Sequence, residues 1–369
     1  MNQSNLKNRG IIILFFLVNL ANGQTNKELK PLSSSSLVVR NYHTEPVITI
    51  STDTSANIKY GFEGGRVIKI NNTYHLFTSE MIDSPIWVKM KLGYWTSTDK
   101  MNWKRVSTIR ESSGDFTGAD ERAAYWSPLP VWDAESNRWH LFYVAYKSAP
   151  SDSNTFRVNM QGRIVHAISA TAGMNGIAGP YKDKSIIMKP GKESGTWEGL
   201  QGVNSFFPWL AGSTWYAFHG SCNSEKLPVT KWQVGMASSN SLDGPWKRMY
   251  SKSPVAFEPG FIENPIVYEV KGRGWLCVYD CEGENVIGWA YSKNGIDWQK
   301  GTPLVVAPDA ATWSRDTDIR TPLGLVHEGG NTFTIFYTAF QSKPDWNKIL
   351  QEAHSDATCA IGFVTVELN

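Results

Sequence analysis

The chain has 369 residues, with 36 Lys and Arg against 34 Asp and Glu for a net charge of +2. That balance excludes a protein whose main partner is nucleic-acid phosphate, which needs a basic surplus or stripe, and 41% hydrophobic content excludes disorder. Aromatic residues make up 12% of the chain, broken by 31 Gly and 18 Pro, which points to β architecture and to surfaces that suit sugars.

Residues 1–23 read as a secretory signal. Lys7 and Arg9 form a basic start, and Ile11 to Leu20 is an apolar run too short to span a bilayer. Small residues Ala21 and Gly23 prepare cleavage before Gln24, and no Cys follows to carry a lipid. Residues 24–44, with four consecutive Ser from Ser33 to Ser36, are expected to be a flexible leader. No other segment approaches ~20 apolar residues. The mature protein is expected to be secreted or periplasmic and free of the membrane. Cys222, Cys277, Cys281 and Cys359 show no metal-binding spacing and are expected to be buried free thiols.

A repeat runs through the rest. Five apolar segments are each followed by a short break and an aromatic-led strand, at 65–79, 127–145, 204–221, 264–281 and 321–339. The leading aromatics are Tyr74, Trp139, Trp215, Trp275 and Phe333. Each pair reads as a β-hairpin. A further strand follows each hairpin, at 92–99, 164–171, 234–241, 287–294 and 361–368. Four of these run into turns ending in Trp103, Tyr181, Trp246 and Trp298, each opening a fourth strand. Five sets of four antiparallel strands predict an all-β, five-bladed β-propeller over residues 45–369. Residues 45–52 are expected to supply the missing last strand and close the ring, protecting its edges. A pair of sandwiches would not repeat in fours with one aromatic column. Residues 345–355 hold the one helical candidate.

In such a ring the first strand of each blade lines the channel, so the segments leading into them converge at one mouth. These segments offer Glu63; Asp120, Glu121 and Trp126; Trp197, Glu198 and Asn204; Glu263 and Asn264; and Trp313, Arg315, Asp316, Asp318 and Arg320. Carboxylates beside indole rings handle sugars: CH faces stack on Trp and hydroxyls bond to the acids. Glycoside hydrolysis needs two carboxyl groups with separated pKa values, set ~6.5–9.5 Å apart for inversion. Arg320 matches a carboxylated or sulfated sugar bidentately. The alternatives are structural: Glu263 paired with Arg320 or Arg315, Glu63 bonded to backbone between blades, and Asp316 and Asp318 in an arginine network. His219 breaks a column otherwise filled by Thr78, Tyr143, Tyr279 and Tyr337, which marks it as a site candidate, with Asp280 behind the site at the same level. His75 and His140 share a repeat column and are assigned to packing. There is no nucleotide fingerprint, P-loop or nucleophile elbow.

The run EGGRVIKINNTYHLFTSE resembles the first-blade segment of glycoside hydrolase family 43 and its five-bladed relatives, families 32, 62 and 117. FIENPIVYEVKGRGWLCVYD is similar to the segment that carries the general acid there, a Glu two residues before Pro, and Glu263 matches it. The resemblance implies a glycoside hydrolase domain over the whole repeat. The family's base Asp falls at Gly64, with Glu63 one position away, and the Asp that modulates the acid falls at Ser127 or Leu129, where Asp120 or Glu121 substitutes from the preceding loop. The base is left open between Glu63 and Asp318. No cofactor is required, and the resemblance admits a structural calcium or other ion in the channel.

The leading expectation is therefore an exo-acting, inverting glycoside hydrolase on plant or algal polysaccharide or its oligosaccharides, a monomer or small homo-oligomer, with Trp126, Trp197 and Trp313 as sugar platforms. A polysaccharide lyase using His219 and Arg320 on a uronate, and a carbohydrate-binding propeller without chemistry, are the alternatives.

Overall fold

A computed structural model describes residues 30–150, 158–225 and 231–369, and the expected signal segment lies outside them. The predicted hairpins form where the sequence places them. After β1 (Leu37–Tyr42), the strands β2 (Gly61–Ile70), β3 (Thr73–Met81), β4 (Met90–Ser97) and β5 (Lys104–Glu111) pair in order. Asn71 turns the first hairpin at φ 54°, a conformation Asn tolerates and a two-residue turn requires. A second sheet holds β6 (Ala124–Asp133), β7 (Arg138–Ser148), β8 (Asn159–Ser169) and β9 (Tyr181–Met188). A third holds β10 (Ser205–Ala211), β11 (Thr214–Cys222), β12 (Trp232–Ser239) and β13 (Lys247–Arg248).

The fourth sheet runs β14 (Ile262–Val270), β15 (Gly274–Cys281), β16 (Val286–Ser292) and β17 (Trp298–Lys300), with β18 (Leu304–Val305) also on β16. Last come β19 (Ile319–Gly329), β20 (Thr332–Phe340) and β21 (Cys359–Leu368). These join the first sheet through one parallel pairing, Gly61 with Cys359. The protein is thus mostly β, in several antiparallel sheets. Its α-helix, α1 (Trp346–Glu352), lies within the predicted 345–355 and is capped by Asp345, whose carboxylate accepts from the Asn347 and Lys348 amides.

The leader needs correction. Leu37–Tyr42, expected to be flexible, is an antiparallel strand on β21, in register from Leu37 opposite Leu368 to Tyr42 opposite Val364. The stretch 45–52, expected to close the last unit, contributes only the bridge of Ile48 to Ile361. The apolar face of LVV, with Leu37 buried, decides between the two.

The aromatic repeat explains the core. Trp95, Trp289, Tyr143, Tyr279, Tyr337, Phe142 and Phe218 are all essentially buried, on inner strands. The turn tryptophans Trp103 and Trp246 fold back on their own turns, donating to the Lys100 carbonyl (2.9 Å) and the Leu242 carbonyl (3.3 Å). The four cysteines are free and buried.

A buried ion pair lies in the first sheet. Glu80 has no exposure, and its carboxylate accepts from the Trp95 indole (2.8 Å) and from Arg105 through Nε (2.9 Å) and Nη2 (2.7 Å). Removing one partner of a buried pair strands the other without solvent. Glu80→Ala is expected to destabilise the fold by about 3–5 kcal/mol, read as a lowered urea midpoint at unchanged slope. An unmoved midpoint would show that Glu80 does not hold this cluster.

Candidate active site

The segments leading into the first strands share an irregularity. Register shifts interrupt β2 between Glu63 and Gly65, β6 between Trp126 and Leu129, β14 between Glu263 and Ile266, and β19 between Ile319 and Pro322. Three coincide with a proline, in Ser127-Pro128, Asn264-Pro265 and Thr321-Pro322. Proline has no N–H for the ladder, so pairing lapses there and the strand bends. Ser127 and Asn264 both sit at φ 49° and Gly64 at φ 68°. The bulges aim the neighbouring side chains, Glu63, Trp126, Glu263 and Arg320, into one cavity of about 510 Å³. Asn204 joins them from the residue before β10.

Gly64 explains the missing aspartate. A Cβ at this position would lie 2.7 Å from the Ser127 Oγ, on a backbone that side chains rarely adopt. A side chain there is strained, and Glu63, one residue earlier, enters the cavity instead.

The two glutamates differ in surroundings. Glu63 is buried, and its Oε1 accepts from Arg320 through Nη2 (2.8 Å) and Nε (3.2 Å). Glu263 is equally buried but lacks such a cation; its Oε1 accepts from the Asn204 amide at 3.1 Å. The Oε2 atoms of both are buried without a partner. Loss of water pushes the Glu263 carboxyl up to about 7, against the pull of Arg320 and with help from the negative charge of Glu63. Asp280, opposite Glu263 on β15, is pushed well up by the same burial. Two carboxyl groups in one cavity are thereby set apart, one tied to a guanidinium and one favouring its proton.

Residues that the sequence reading missed build the walls. The Trp87 carbonyl accepts from the Trp126 indole (2.9 Å) and the Asn159 amide (3.0 Å), which fixes two wall residues on one backbone atom. Tyr146, Gln201 and Trp232 complete the lining. They come from ends of second and third strands and from connecting loops, away from the segments that lead into first strands. Tyr146, three residues past the Tyr143 column, was the one legible signal.

The other expected site residues lie elsewhere. Asp318 faces a neighbouring hollow with Arg315 and Asp316, and its carboxylate accepts from the Trp346 indole (3.0 Å). Asp316 pairs with Arg315 (2.9 Å) and is held by the Asn285 amide. Asp120 accepts from the Ser113 hydroxyl and the Arg122 amide within its own loop. Glu121 is exposed and pairs with Arg163. Glu198 is spent on Arg248, with two contacts of 2.8 Å.

Trp197 packs on His219, with ring centroids 5.5 Å apart, and Trp313 stacks on Tyr337. His219 is fully buried, neither ring nitrogen has a partner, and burial pushes its pKa down to about 4. The expected convergence of all these groups is corrected to Glu63, Trp126, Asn204, Glu263, Asn264 and Arg320. The rest satisfy local loops and ion pairs, which spacing does not reveal. His140 hydrogen-bonds and stacks with His166 (2.9 Å), and with Asp243 the two lie within 4.8 Å of one another, away from the cavity.

Next to this cavity, sharing Ser127 and Asn264 with it, is a smaller one whose side-chain oxygens are those of Ser127, Ser205, Asn264 and Thr321. Calcium takes 6–8 oxygens and favours carboxylates. No carboxylate lines this cavity, so the residues do not fit the calcium that the resemblance admits.

No protein-family model and no curated protein sequence matches the chain. Solved structures do. Zg3597, a family 117 glycoside hydrolase of the marine bacterium Zobellia galactanivorans, superposes with a TM-score of 0.59 at 12% identity, over 90% of this chain and 91% of its own. BT0996, solved as an RGII complex, gives 0.65 at 13%, over 89% and 92%. CoXyl43, a family 43 β-xylosidase/α-arabinofuranosidase from a compost microbial metagenome, gives 0.52 at 14%, over 88% and 95%. At such identities the likeness is one of architecture: this chain shares the fold of these glycoside hydrolases.

Proposed function

We propose that the chain is an exported, five-bladed β-propeller glycoside hydrolase that removes sugars from chain ends of a plant or algal polysaccharide or its oligosaccharides, with inversion. The observation that carries the reading is the pairing, in one cavity, of a buried carboxyl that favours its proton with a carboxylate bound to arginine. The blade count rests on five quartets: β2–β5, β6–β9, β10–β13, β14–β17, and β19–β21 with β1. Export rests on the apolar N-terminal run, and chain-end action on a cavity walled by Trp87, Trp126 and Trp232.

In this reading Glu263 delivers its proton to the glycosidic oxygen as the bond to the anomeric carbon breaks. Asn204 occupies Oε1 and leaves Oε2 for that proton. Glu63 takes a proton from the water that attacks the opposite face of the sugar, through the Oε2 that Arg320 leaves free. Arg320 fixes the carboxylate from behind, and Tyr146, Asn159 and Gln201 offer partners for hydroxyls. A lyase built on His219 gains no support, because that ring lies buried outside the cavity.

Glu263→Gln is expected to lower kcat/KM on a cleaved oligosaccharide by about 10²–10⁴ with the melting curve intact; near-normal turnover would sink the assignment. Sugar binding without new reducing ends across a broad glycan panel would instead mark a binding module. The product anomer, read early by NMR, tests inversion.

The acid form of Glu263 exists below its raised pKa, so kcat/KM should fall as pH rises through about 7. The folded state also binds this proton more tightly than the unfolded chain. The matching stability is complete below the ordinary glutamate value and is lost as pH rises through about 7. Glu63→Gln removes a charge that raises the Glu263 pKa and leaves Arg320 uncompensated. It should lower turnover and also move the alkaline limb toward acid, and a limb that stays in place would deny the coupling.

A further inference from the structure

Further along the same first strands, past the small neutral cavity, lies a second hollow of about 810 Å³. Arg66 lies among its residues, on β2. Its Nη1 donates to the Pro130 carbonyl (2.8 Å), and its guanidinium lies 4.7 Å over the Phe207 ring. That contact spends one of five N–H donors. Among the described residues no carboxylate pairs with it, and withdrawal from water pushes it down to about 10 with no charge to oppose the fall.

The neighbouring cation is already committed, since Lys69 pairs with Glu328 at 2.7 Å. His327 turns its Nε2 to the Gly330 carbonyl (2.9 Å). The hollow is also lined by Val67, Ile266, Val267 and Leu325, together with Tyr268. One guanidinium with no carboxylate partner and with unspent donors, at a hollow open to solvent, has the chemistry of an oxyanion receptor.

We propose that this hollow holds a small oxyanion on Arg66. The ligand class is sulfate, phosphate or carboxylate, free or as a substituent of a glycan. Its binding neutralises Arg66 on β2, in a hollow shared with β14 and β19.

Calorimetric titration of the full chain at constant ionic strength tests this. Inorganic sulfate should bind saturably and raise the melting temperature, and calcium should do neither. Galactose 6-sulfate in a parallel titration separates the sources: tighter binding than sulfate assigns a glycan substituent, equal or weaker binding assigns the free ion. Arg66→Met should abolish saturation. Arg66→Lys keeps the charge without the fork and should bind at least tenfold more weakly, which decides the matter if Arg66→Met does not fold. No saturable sulfate binding to the wild type, equal binding by the variants, or saturable calcium binding would overturn the proposal.

Discussion

A carboxylic acid withdrawn from water beside a carboxylate that already has its cation is the constraint on which the site depends. Two glutamates in one cavity would repel if both were charged. Arg320 resolves the conflict by pairing with Glu63, while Glu263, facing an amide instead, favours its neutral form. The asymmetry comes from two neighbours, Arg320 and Asn204, rather than from the glutamates. It also removes Arg320 as a free receptor for an acidic sugar, the role its sequence position suggested.

The backbone supplies the positions. A regular strand alternates its side chains strictly and could not turn adjacent positions on several strands toward one point. The bulges at Gly64, Ser127 and Asn264, and the lapse at Thr321-Pro322, break that alternation at a common level. Positive φ at Ser127 and Asn264 is local strain held by the surrounding sheets, of the kind that gathers at functional sites.

Much of the fold was legible because repetition amplifies weak signals. Tyr74, Trp139, Trp215, Trp275 and Phe333 each mark the start of an inner strand, and all five hairpins form there. The site was legible where a bulge follows directly on a first strand, as at Glu63 and Glu263. It was not legible at Glu198, Glu121 or Asp316, whose arginine partners are distant in sequence or were equally compatible with catalysis. Nor was it legible at Trp87 and Asn159, which reach the cavity from a loop and the head of a third strand. The leader was misjudged because its serines outweighed the short apolar run LVV that follows them.

That run has a consequence for how the molecule is made. The contact of Arg40 with Glu367 spans 327 positions and joins β1 to the final strand. Local hairpins can form as soon as their residues are available, but this seam carries the largest loop entropy and waits for the last residues of β21. Until then β21 presents an unpaired edge. The architecture is therefore fastened between its first and last described strands, and while that seam is open the β21 edge is available to other strands.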